Sequence, residues 1–110
     1  MSGASSKRKG SRFELELKHA GQEAGFAVEK VPLSGALGGK HIGDLSWPLL
    51  GRDRCVECKI RADGFKELYH WLEGRDFLLL RSNRKQPLVV VPFKLAVEVA
   101  RAAERRKERP

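Results

Sequence analysis

The sequence predicts an α/β fold, a mixed central sheet with helices packed on it, from three observations. Apolar residues recur at helical spacing near both ends of the chain, short runs between them alternate or are continuously apolar, and Gly/Pro/Asn punctuation separates the segments. The resulting order is α, β, β, β, α, β, β, α. At 110 residues the chain is long enough for one core and too short for two, so residues 10–110 are expected to form a single domain. Residues 1–9 are small, polar and basic, and are expected to form a flexible arm in front of it.

From Ser11 onward, Phe13, Leu17, Ala20 and Ala24 fall at i, i+4, i+7 and i+11, a helical stripe stopped by Gly25. Phe26 to Val31 alternates as a strand and ends at Pro32. Pro32 to Gly43 is glycine-rich and reads as a loop carrying Ser34, Lys40 and His41. Asp44 to Leu50 reads as a second strand, Gly51 to Asp53 as a hairpin turn, and Arg54 to Ile60 as the antiparallel third strand. Phe65, Leu68, Tyr69 and Leu72 share a helical face ending at Gly74, with Tyr69 assigned to the core. Two apolar runs, 77–82 and 87–93, read as buried strands joined by a basic turn. The last helix, from Lys94, sets Leu95, Val99, Ala102 and Ala103 on one side.

Charge narrows the partner. With 22 Lys+Arg against 14 Asp+Glu the formal charge is +8, which favours a polyanion. The basic residues are spread through the folded part, and neither an amphipathic interfacial helix nor a membrane-length apolar run is visible, so nucleic acid is favoured over a membrane. The first residues lack the apolar core of a signal peptide, and the expected location is the reducing cytoplasm. Cys55 and Cys58 form C-x-x-C, but an offset of three on a strand points the sulfurs to opposite faces. They read as two reduced structural thiols.

The chemistry lies in Arg54 to Ile60. On a strand, Val56, Cys58 and Ile60 face one way, while Glu57 and Lys59 face the other, about 6.6 Å apart along the chain. Asp44, thirteen residues before Glu57 and across the hairpin, can lie on the same face. Two carboxylates there repel unless a divalent cation neutralises them, and oxygen ligands suit magnesium or manganese better than zinc. Lys59 could then steady the attacking water or the phosphate. The competing reading makes Glu57 and Lys59 an ordinary surface pair.

With these residues in place the chain resembles the archaeal-type Holliday junction resolvases of the PD-(D/E)XK nuclease superfamily. The likeness runs from KRKGSRFELEL through GFAVEKVPLSG and the Asp44, Glu57-Cys58-Lys59 motif to FLLLRSNRKQPLVVVPFKL, most of residues 7–95. It implies a restriction-endonuclease-like core. It also implies that Glu14, Asp44, Glu57 and the Cys58 backbone carbonyl bind Mg2+, with Mn2+ able to substitute, that Lys59 is the catalytic lysine, and that Ser34 acts near the scissile phosphate. Arg8, Lys9 and Lys30 match basic positions on the DNA-facing side, and Lys40 joins them from the loop. Gly43 departs from the motif, which has proline there.

Local readings stand beside these roles. Ser11 and Glu14 form S-x-x-E, a helix capping box. Ser34 before Gly35 is also a turn serine, and His41 a solvated loop histidine. His19, His70, Trp47 and Trp71 read as packing or surface residues, with Trp71 and Tyr69 also candidates for a dimer surface. The resemblance implies a metal-dependent endonuclease, prokaryotic or phage-encoded, that resolves four-way DNA junctions by paired nicks. Two paired cuts require a homodimer, and no small-molecule cofactor is implied. A general repair or restriction-like duplex endonuclease and a non-catalytic basic DNA-binding module are the alternatives.

Overall fold

The structure is a computed structural model and describes residues 3–32 and 43–108. Its elements are α1 (Gly3–Glu23), β1 (Glu29–Lys30), β2 (Leu45–Leu49), β3 (Arg52–Val56), α2 (Lys66–Leu72), β4 (Leu78–Leu80), β5 (Leu88–Val90) and α3 (Phe93–Glu108). They divide into two compact units, residues 1–60 with 100–110, and residues 61–99. The order is the expected one. Among the described residues every strand pair is antiparallel, β1-β2-β3 in the first unit and β4-β5 in the second, with no parallel pair of the kind a mixed sheet contains.

In the first unit α1 starts at Gly3, eight residues before the expected Ser11, so residues 3–9 are helical where the sequence reads as an arm. Nothing in GASSKRKG forbids a helix, since a single interior glycine costs only about 1 kcal/mol. Its inward stripe is half-buried at Phe13, Glu14, Leu17, Ala20 and Ala24 and fully buried at Gly21. A Cβ on Gly21 would stand 2.5 Å from Val28 Cγ2 and 3.0 Å from the Trp47 ring, so the helix approaches the sheet closely only because that position is glycine.

The strand alternation after α1 is borne out by burial: Phe26 and Val28 are buried, Ala27 and Glu29 exposed. Phe26, Val28 and Leu45 form the core, with Leu17, Trp47, Leu49, Val56, Cys58 and Ala100 packed around them. Burial of each large apolar side chain contributes about 1.5–3 kcal/mol. Trp47 is a packing residue, its ring centroid 5.4 Å from that of Phe26.

Leu49 pairs with Arg52, so the β2–β3 hairpin turns on Leu50 and Gly51 rather than on 51–53. Both have positive φ, 52° and 83°, the combination of a two-residue hairpin turn that matches strand twist. Leucine is uncommon there, and Glu104 of α3 accepts the Leu50 backbone N–H through Oε1. The ladder ends at Leu45↔Val56, so Glu57, Cys58 and Lys59 follow β3 instead of lying within it. Alternating exposure nevertheless continues to Ile60.

In the second unit, α2 ends near Gly74 as expected, but Tyr69 is 74% exposed and is not a core residue. The buried side of this seven-residue helix extends only to Leu68 and Leu72, which are half-buried. β4 and β5 are not buried strands either: Leu79, Leu88 and Val89 are exposed. On α3, whose residues divide between the units at Ala100, Leu95 and Ala103 of the expected stripe are half-buried, whereas Val99 and Ala102 are exposed. No helix among the described residues is long and apolar enough to cross a membrane.

Candidate active site

Asp44 is held at the mouth of the hairpin by its backbone on both sides. Its N–H donates to the Val56 carbonyl at 2.7 Å, and its carbonyl accepts from Val31 N–H at 3.0 Å, so β1, β2 and β3 all converge on it. Where the ladder stops, its side chain takes over: the Cys58 N–H donates to Asp44 Oδ2 at 2.7 Å. One carboxylate oxygen thus fixes the path of the chain through Glu57-Cys58-Lys59. The other has no partner among the described residues.

Gly43 makes this approach possible. Its φ is +91°, and a Cβ there would lie 2.9 Å from the Val56 carbonyl oxygen. Proline, which stands at this position in the motif, holds φ near −65° and cannot adopt that conformation. The departure is therefore a different backbone route to the aspartate, and not only the loss of a stiffening ring.

Glu57 and Lys59 stay on one side of the extended segment, with Lys59 Nζ 3.1 Å from Glu57 Oε2 and both side chains about half exposed. Lys30 Nζ lies 3.9 Å from Glu14 Oε1. Phe26, Val28 and Lys30 alternate on the side of the sheet that meets α1, so the strand pattern that buries the first two also aims the lysine at the helix. That signal was present in the sequence and the pair was missed. Glu14 itself lies on the inward stripe of α1, its side chain only 19% exposed. Because α1 begins at Gly3, Ser11 is interior to the helix and the Ser11–Glu14 pair is no longer at a helix start, which removes the capping-box reading.

The electrostatics join the three acids. Burial, followed by the negative charges of Asp44, Glu14 and Glu57, pushes the Cys58 thiol up to about 11. It is a half-buried structural thiol, as expected, and Cys55 is an exposed free one. One position therefore feels three carboxylates brought from α1, the residue before β2 and the segment after β3. Their all-oxygen chemistry is that of a hard divalent cation. As placed, however, no three His, Cys, Asp or Glu side chains among the described residues form a metal cage. Two of the acids lie beside lysines and one is hydrogen-bonded to backbone, so a cation would have to compete for them.

Of the basic positions, Arg8 and Lys9 are exposed on α1. Ser34, Lys40 and His41 lie outside the described residues. His19, His70 and Trp71 are exposed.

A search of curated proteins and of solved structures returned no match to this chain. A family model does match: that of the archaeal Holliday junction resolvase, over residues 5–102, a span that contains most of α1, the Asp44 and Glu57-Cys58-Lys59 segments and most of α3. The chain belongs to the archaeal Holliday junction resolvase family.

Proposed function

We propose that the protein is a metal-dependent endonuclease that resolves four-way DNA junctions by paired symmetric nicks, on a restriction-endonuclease-like core. Family membership supports the nuclease class and the branched DNA substrate. The observation that carries the site is the 2.7 Å bond from Cys58 N–H to Asp44 Oδ2, which ties the aspartate to the Glu57-Cys58-Lys59 segment.

In this reading Glu14, Asp44, Glu57 and the Cys58 carbonyl hold Mg2+ or Mn2+. When bound, the ion supplies neutralisation of the phosphodiester charge and a lowered pKa for the attacking water. Asp44 would offer the carboxylate oxygen that the Cys58 N–H leaves free, and Glu57 and Glu14 would add theirs from the segment after β3 and from α1. Lys59, half exposed beside Glu57, would hold the water or donate to a phosphate oxygen as negative charge develops there. Lys30, beside Glu14, and Arg8 and Lys9, exposed on the same helix, attract the backbone of the substrate. Ser34 would act near the scissile phosphate, and Lys40 would be a further contact to the DNA.

Paired nicks require two sites, and the second unit supports a homodimer. None of its described residues is buried, and it holds most of the exposed large apolar side chains, Phe77, Leu79, Leu88 and Val89 among them. Exposed apolar area on this scale is characteristic of an interaction surface. The enzyme so assembled works in the cytoplasm.

The test is a labelled four-way junction and a linear duplex of matching sequence, each with and without Mg2+. Symmetric nicks confined to the junction and to the Mg2+ samples are expected. Cutting of both substrates selects a general duplex endonuclease, and binding without cutting selects a non-catalytic module.

A further inference from the structure

The end of the β2–β3 hairpin remote from the carboxylates carries an open groove of about 600 Å³ within the first unit. Phe26 and Leu49 contribute apolar lining, and Arg52, Arg101 and Arg105 line it with charge. Arg101 and Arg105 are four residues apart on α3, on one face and about 6 Å apart along its axis. None of the three guanidiniums has an ion-pair partner among the described residues.

The groove also contains Asp53 and Glu104. Glu104 is occupied with the Leu50 N–H and supports the hairpin turn. Arg54 adds a further cation beside the groove, its Nε donating to the Leu49 carbonyl at 3.0 Å. Counting the lining residues alone, three positive side chains face two negative ones; Arg54 raises the excess to two. Unpaired arginines clustered at an open, concave site suit an anion with several acceptor oxygens, because the guanidinium fork matches phosphate.

We infer that this groove is a second DNA contact, which grips the phosphodiester backbone of a junction arm away from the site of cutting. The inference rests on the junction-nuclease reading. From Asp44 to Leu49 the strand advances by about 17 Å, equal to about five steps of duplex at 3.4 Å per step. One protomer would thus hold an arm at the acidic end of the hairpin and again at its turn. Two separated contacts constrain the direction of an arm, which a single phosphate contact does not.

The experiment measures fluorescence anisotropy of a labelled four-way junction without metal, over a series of salt concentrations. It compares the wild type with Arg52→Gln/Arg101→Gln/Arg105→Gln, with the double variant Arg101→Gln/Arg105→Gln, and with Arg81→Gln/Lys85→Gln/Lys94→Gln, which removes the same charge elsewhere. Thermal melting accompanies each, and the double variant serves if the triple melts early. The groove triple should bind roughly ten-fold more weakly, with the slope of log K against log salt reduced by roughly 2 to 3, about one per lost contact. The double should lose about two-thirds of that slope. Groove variants with wild-type affinity and slope, or a control triple that loses as much, overturn the inference while leaving the nuclease reading intact. A wild type that binds no DNA overturns both.

Discussion

The backbone N–H of Cys58 donates to Asp44 Oδ2 at 2.7 Å, fourteen residues away along the chain. The bond lies just past the last ladder pair, Leu45↔Val56, and substitutes a side chain for the backbone partner that the third strand has run out of. Asp44 therefore has a structural duty as well as the proposed chemical one. The two can be separated by substitution.

Asp44→Asn retains an amide oxygen to accept the Cys58 N–H and should fold within about 1 kcal/mol of the parent. It removes the charge, and nicking should fall by roughly 100-fold or more. Asp44→Ala leaves the Cys58 N–H without its partner and should lose a further 1–3 kcal/mol or about that. Glu57→Gln should lose nicking with little change in melting, because its lysine contact is half exposed. Junction affinity measured by gel shift should survive in all three. Full nicking by Asp44→Asn would remove the aspartate from the site.

Gly43 tests the route into that aspartate. With φ at +91° and the Val56 carbonyl 2.9 Å from a would-be Cβ, Gly43→Ala should destabilise by about 1–3 kcal/mol. Gly43→Pro, although it restores the residue of the motif, should be worse, because the ring fixes φ with the opposite sign. Melting temperature and nicking rate should fall together in both. A proline variant as stable as the parent would show that the backbone here can take the other path.

How far such features could be read in advance depended on local periodicity. Alternation along Arg54 to Ile60 was legible, and it persists in exposure even where the ladder has ended, because an extended chain keeps its period of two without a partner strand. The stripe of α1 was legible from Phe13 onward and its start was not, since residues 3–9 contain no large apolar side chain to set a phase. Val99 was misplaced for the opposite reason: Ala and Val surround α3, so several faces looked apolar and the choice fell to packing. The Gly43 conformation has no sequence signature of its own, because it arises from the closeness of Val56 in space.

The exposed pair Leu79 and Val89, directly opposite in the β4–β5 register, gives the dimer reading a definite test. Leu79→Asp with Val89→Lys places an opposite-charge cross-strand pair on a face that is already exposed in the single chain, so the fold should persist. In a dimer sealed by that face the two charges would be desolvated, and the assembly should dissociate to monomers in sedimentation or light scattering. Paired cutting of a junction should give way to single nicks. An unchanged dimer would place the interface elsewhere.

Glu14 is the acid whose role the structure changes most. Its capping-box alternative required a helix beginning beside Ser11, but α1 starts eight residues earlier, so Ser11→Ala should alter stability by less than the roughly 1 kcal/mol of a true cap. What remains is a choice between pairing with Lys30 at 3.9 Å and service at the metal site. Lys30→Met breaks the pair while leaving the carboxylate; Glu14→Gln removes the carboxylate while leaving the lysine. If Glu14 serves only to hold Lys30, the two variants should match in nicking rate at every Mg2+ concentration. If it helps to hold or orient the ion, Glu14→Gln should lose roughly 10- to 100-fold at low Mg2+ and recover in part as Mg2+ rises. Lys30→Met should then show weaker junction binding with no such recovery, because it has lost a contact to the substrate and not to the ion. Nicking rates over a Mg2+ titration, beside gel-shift affinities for both variants, decide between the two roles. A Glu14→Gln protein that cuts at the parent rate in low Mg2+ would leave Asp44 and Glu57 as the only acids in the proposed site.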